Sequence, residues 1–108
     1  MGKAAAKRDP RTLMLEDVLR TLRAELPELE RGYSIQSLGV FGSIVRGERQ
    51  SRSDVDILVD FKRPPTFFEF IELEDRLTDL LGTKTDLVMR SALKPRIGER
   101  ILAEIVEV

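Results

Sequence analysis

The 108-residue chain contains no cysteine and no histidine. Without cysteine there is no disulfide and no thiol nucleophile, and with both residues missing the usual Cys/His zinc sites and the imidazole general base go as well. Any chemistry must run on carboxylates, hydroxyls and bound cations. An excess of one charge is also lacking, since 18 Lys and Arg nearly cancel 19 Asp and Glu. That balance speaks against general nucleic-acid binding. Long apolar runs are missing too, so no membrane span is expected. The opening Met-Gly-Lys-Ala-Ala-Ala-Lys-Arg-Asp-Pro has no apolar stretch of the kind a secretory signal carries. The expectation is a cytoplasmic protein with residues 1–10 as a short loose tail and residues 11–108 as one domain.

What is present is the composition of a globular protein, 42% hydrophobic and 34% charged. A chain this short builds one modest core and leaves little surface for a separate recognition domain. Asp9-Pro10 reads as a helix start, with Leu15, Val18, Leu19, Leu22, Leu26 and Leu29 at helical spacing despite Pro27, and Gly32 closing it. Ile35 to Phe41 reads as a strand turning at Gly42 into a short helix from Ser43 to about Arg49.

Asp54-Val-Asp-Ile-Leu-Val-Asp-Phe61 is the clearest strand, with Val55, Ile57, Val59 and Phe61 on one face and Asp54, Asp56, Leu58 and Asp60 on the other. After Pro64-Pro65, Thr66 can cap a helix striped with Phe67, Phe70, Ile71, Leu73, Leu77, Leu80 and Leu81. Phe67 and Phe70 are expected in the core and Phe68 at a partner surface. Thr85 to Met89 reads as a third strand carrying Asp86, and Pro95 opens a last helix with Ile97, Ile101, Leu102, Ile105 and Val108 inward. Ile101, Ile105 and Val108 also offer a surface for a second copy. The alternation of helices and strands predicts an α/β (α+β) fold, a small mixed β-sheet covered by helices.

Asp54 and Asp56 sit at i and i+2 of a strand, on one face, with Cα atoms roughly 6.5 to 7 Å apart. Carboxylates so placed either share a hard cation, Mg²⁺ being the natural one, or simply face water. Gly42-Ser43 lies between a strand and a helix, where free N–H groups suit a phosphate. The same pair also reads as an ordinary turn glycine followed by a capping serine. Arg46, three residues on, rises over the same side and either grips a phosphate oxygen or is a surface arginine. Arg49, Arg52, Lys84, Lys94, Arg96 and Arg100 read mainly as solvated charges.

Taken together, Gly42-Ser43-x-x-Arg46-Gly47, then Ser53-Asp54-x-Asp56-x-x-Val59, then Asp86-Leu87-Val88, resemble the minimal nucleotidyltransferase (MNT) branch of the DNA polymerase β superfamily. The resemblance runs from about Leu38 to the C-terminus and implies the polymerase β-like nucleotidyltransferase fold. It implies that Asp54, Asp56 and Asp86 are the catalytic acids and hold the Mg²⁺ ions, two of them. It also implies that Gly42, Ser43, Arg46 and Ser53 bind the nucleotide, ATP, and that Asp86 assists deprotonation of the acceptor.

Stand-alone proteins of this size resemble the antitoxins of HEPN–MNT toxin–antitoxin pairs, which implies AMP transfer to a tyrosine of a HEPN-type toxin partner. Two other readings stay open. One is a binding module that masks its partner on an inherited scaffold. The other is a small-molecule nucleotidyltransferase, which usually carries an extra helical domain for its acceptor.

Overall fold

Helix spacing in the first third of the chain is realised as α1, Leu15–Tyr33. The computed structural model describes residues 13–48 and 54–108. The expected tail, Arg49, Arg52 and Ser53 lie outside the described residues, and α1 starts not at Asp9-Pro10 but at Leu15, behind Met14 in an extended conformation. Asp17 closes the start of α1 by accepting the Met14 N–H at 3.1 Å, and the first-turn acids Glu16 and Asp17 suit the positive helix end. Pro27 is accommodated inside the helix. Val18, Leu22 and Leu29 form its buried stripe.

Strand β1, Ile35–Phe41, leads through Gly42 into the one-turn α2, Ser43–Arg46, and strand β2 follows at Val55–Phe61. Helix α3, Phe67–Leu81, starts from a reciprocal cap: Glu69 N–H donates to Thr66 Oγ1 at 3.1 Å and Thr66 N–H to Glu69 Oε1 at 2.9 Å. Gly82, at φ 70°, ends it in the left-handed conformation. Strand β3 is Thr85–Met89, helix α4 is Pro95–Glu104 and strand β4 is Val106–Glu107.

The sheet order is β3-β2-β1-β4. β1 is antiparallel to both β2 and β4, whereas β2 and β3 are parallel, as the α3 crossover between them requires. Pairing sets Ile57 beside Val40 and Leu87, and Val59 beside Leu38 and Met89. These residues face α1 and α3, and with Leu22, Leu29, Leu73 and Leu77 they make the core. On the outer edge, α3 side chains take β3 N–H groups: Leu87 donates to Glu74 Oε2 at 2.8 Å and Thr85 to Thr78 Oγ1 at 3.1 Å.

Five further expectations need correction. Gly32 does not close α1; the helix runs on so that Tyr33 packs on the core, and Ser34 takes the left-handed cap at φ 55°. Helix α2 stops at Arg46, because Gly47 at φ 75° turns its N–H back onto the last carbonyls. Phe67 is 72% exposed, not core. It is the first residue of α3, one turn before core contact begins at Phe70, and it stacks edge-to-face on Phe68 at 5.8 Å. Ile71, 37% exposed, stands off the stripe.

The last helix ends at Glu104, and Ile105 and Val108 leave it. The β-branched Ile-Val run becomes extended and pairs with β1, Val108 N–H donates to Leu38 O at 2.9 Å, and Arg23 binds the Glu107 and Val108 carbonyls at 3.1 and 3.2 Å. Val108 thereby packs on the chain's own core, and Ile97 and Leu102 stay 52% and 43% exposed. No helix among the described residues is long and apolar enough to cross a membrane.

Candidate functional site

The two-residue period of β2 that buries Val55, Ile57 and Val59 turns Asp56 and Leu58 to the opposite side. Helices α1 and α3 occupy the first side, so the acids stand on the face those helices leave open. In the parallel register Asp56 lies directly beside Asp86 of β3, one strand spacing of about 4.8 Å away. Asp54 precedes β2 on the same side, and its Oδ2 is 3.7 Å from Lys84 Nζ. The lysine side chain is 78% exposed, so the pair is weakly held. The structure thus brings all three expected acids to one end of one sheet face. Among the described residues no group of three such side chains closes around a common point.

Asp56 is the electrostatically loaded member. Partial burial, then the charges of Asp86 and Asp54, raise its pKa from 3.8 to about 6, with Glu104 adding to the rise and Arg46 opposing it. A half-buried carboxyl among like charges calls for a positive counter-charge. The carboxylate oxygens of Asp54, Asp56 and Asp86 are the donor type that a hard cation such as Mg²⁺ prefers.

Gly42 joins this carboxyl to the neighbouring turn. Its backbone, φ 87° and ψ −157°, lies in a region open essentially to glycine alone, and a Cβ there would collide with Asp56 Oδ2. Glycine is therefore required twice, for the conformation and for the space. Ser43 follows, half-buried, as the first residue of α2. Arg46 closes that turn, and its guanidinium reaches Glu48 Oε1 at 3.0 Å and Glu104 Oε1 at 2.8 Å.

Glu104 is the site residue that sequence reasoning missed. Its Oε2 accepts the Gly42 N–H at 2.7 Å and lies 3.1 Å from Arg46 Nη1. Burial disfavours its charged form, but the Arg46 and Gly42 hydrogen bonds and the charges of Arg46 and Arg100 outweigh that and hold the carboxyl below its ordinary range. It stands 62 residues from Gly42, at the end of an amphipathic helix, and no local pattern marks it. Beside it, Phe41, Arg46, Ile97, Arg100 and Ile101 line a cleft of about 260 Å³.

A sheet face carrying clustered carboxylates, bordered by a glycine turn and an arginine, has the chemistry to receive a polyanion together with cations that neutralise it. The model of the nucleotidyltransferase domain family matches residues 19–108, so the chain belongs to that family and is a nucleotidyltransferase of its minimal, MntA-like branch. The protein adenylyltransferase MntA of Thermococcus cleftensis is 49% identical over 96 residues, covering 89% of this chain and 97% of the relative. A solved structure provisionally described as a minimal nucleotidyltransferase is 33% identical with a TM-score of 0.77, covering 90% of this chain and 98% of that one. The fold alone is shared with a complex of a tri-AMPylated Shewanella oneidensis HEPN toxin and its MNT antitoxin. That match has 20% identity and a TM-score of 0.56, over 85% of this chain and 66% of that one.

Proposed function

We propose that this chain transfers AMP from ATP, in the presence of Mg²⁺, to a tyrosine hydroxyl of a HEPN ribonuclease toxin in the cytoplasm, and so acts as its antitoxin. The reading is supported by near full-length similarity to a protein adenylyltransferase and by a fold shared with an antitoxin bound to an AMPylated toxin. The observation that carries it is the pairing of Asp56 with Asp86 across two strands, with Asp54 alongside and Gly42 against the Asp56 carboxylate.

In this reading Asp54, Asp56 and Asp86 hold the metal, and Gly42, Ser43, Arg46 and Ser53 hold the nucleotide. When bound, Mg²⁺ would offset phosphate charge and lower the pKa of the acceptor hydroxyl. The bare backbone at Gly42 lets a phosphate approach closely, and Arg46 offers its forked donors to the same group. The acceptor oxygen bonds to the α-phosphorus as the bond to the β-phosphate bridging oxygen breaks and pyrophosphate leaves. The hydroxyl proton passes to an aspartate, in this reading Asp86, which is exposed on the outer strand.

The test is transfer of label from α-³²P-ATP to a purified HEPN-type toxin encoded beside this chain, with Asp54→Asn in parallel. Label on the toxin with the unaltered chain, reduced at least about a thousandfold in the variant, is expected for a metal-holding acid. A variant that still protects cells from the toxin without transferring label would replace this reading with masking by binding alone.

A further inference from the structure

We infer that Glu104 is an internal competitor of the nucleotide: its carboxylate occupies the Gly42 N–H and the Arg46 guanidinium in the free protein and must swing away when a triphosphate binds. The inference rests on the reading that Gly42, Ser43 and Arg46 receive the phosphates. Its own basis is a set of three contacts, 2.7 Å from Gly42 N to Oε2 and 2.8 and 3.1 Å from Arg46 Nη1 to the two carboxylate oxygens. One backbone donor and one guanidinium nitrogen around a two-oxygen anion is how a phosphate edge would be held. Charge agrees, because Glu104 adds to the negative potential at Asp56 while Arg46 relieves it. Removing the carboxylate from Arg46 leaves that cation for an incoming anion.

The latch is mounted on fixed parts of the molecule. Glu104 ends α4, Ile105 fills the space above Gly39 that a Cβ would need, and Val106 and Glu107 pair with β1. The backbone is therefore pinned, and release is a side-chain rotation into the cleft lined by Ile97, Arg100 and Ile101. Arg100, whose charge already acts on Glu104, is the neighbour that can receive the displaced carboxylate. Glu104 thus acts as a competing anion that the phosphates must displace.

The experiment is titration of the full chain with ATP and Mg²⁺ by calorimetry, comparing Glu104→Gln, Glu104→Ala and Ser43→Ala, with thermal unfolding of each variant as a check on folding. If the latch is closed most of the time, both Glu104 variants bind ATP roughly three- to tenfold more tightly, the apparent affinity scaling with the open fraction. The Gly42 amide resonance reports the same event: it differs between the free unaltered protein and free Glu104→Ala, which lacks the carboxylate acceptor, and the two converge at saturating ATP, when the phosphate accepts the same N–H in both. Unchanged or weaker binding by the folded Glu104→Gln, while Ser43→Ala still weakens binding, would overturn the latch and leave the phosphate site standing. No effect from Ser43→Ala would remove the phosphate site and the latch together.

Discussion

The two faces of the sheet are built from alternate residues of the same strands, yet they follow opposite rules. On one face Val55, Ile57 and Val59 are fully buried under α1 and α3, with Leu38, Val40 and Leu87 beside them. On the other, Asp56 and Asp86 stand together, and Gly42 is held against the acid by a backbone that other residues avoid. One face is satisfied within the fold; the other keeps repulsion and unusual backbone that the first must support. The continuous core behind the site holds that arrangement in place.

The contrast breaks most completely from the core side. Leu77 is fully buried in α3, and its methyl groups fill space that the sheet cannot collapse into. Leu77→Ala is expected to lower stability by about 2–5 kcal/mol, read from the urea midpoint. Adenylyl transfer, measured well below the transition, should stay near that of the unaltered chain.

Two glycines sharpen the comparison at smaller cost. Gly42→Ala meets a glycine-only backbone and the Asp56 carboxylate, so it should lose about 1–3 kcal/mol and most ATP binding. Gly47, at φ 75°, has open space where a Cβ would go. Gly47→Ala should lose about 1–2 kcal/mol from the left-handed backbone alone and keep its affinity for ATP. Equal loss of binding in both variants would mean that the contact with Asp56 is unimportant.

Legibility in the sequence followed the same division. The run from Asp54 to Phe61 shows both faces at once, since its alternation separates the apolar residues from the acids. Thr66, Gly82 and Pro95 mark helix ends by local chemistry, and the structure keeps all three. What could not be read depends on distant partners. The two-residue β4 exists because β1 has an edge to pair, and Glu104 matters because the chain folds back onto Gly42. Phe67 fits the helical period but lies a turn before core contact begins, so spacing alone misplaced it. Ser43, Arg46 and the three acids were each legible as residues, while the bond from Arg46 to Glu104 was not.

The smallest expected effect tests whether the open face carries uncompensated charge. In the metal-free protein the Asp56 pKa rises from 3.8 to about 6 on folding, chiefly through burial and then the charges of Asp86 and Asp54. Between those values the folded chain holds a proton that the unfolded chain has released, so folding stability falls as pH rises from about 4 to about 6 and stays lowered above that. Asp56→Asn removes the titrating group and keeps its shape. The variant should therefore unfold at a higher temperature than the unaltered protein at about pH 8, with the gap closing as pH falls through 6 toward 4. Added Mg²⁺ should narrow the gap at high pH by stabilising only the protein that retains the carboxylate. A gap that is constant across this pH range would trace the difference to packing and not to charge.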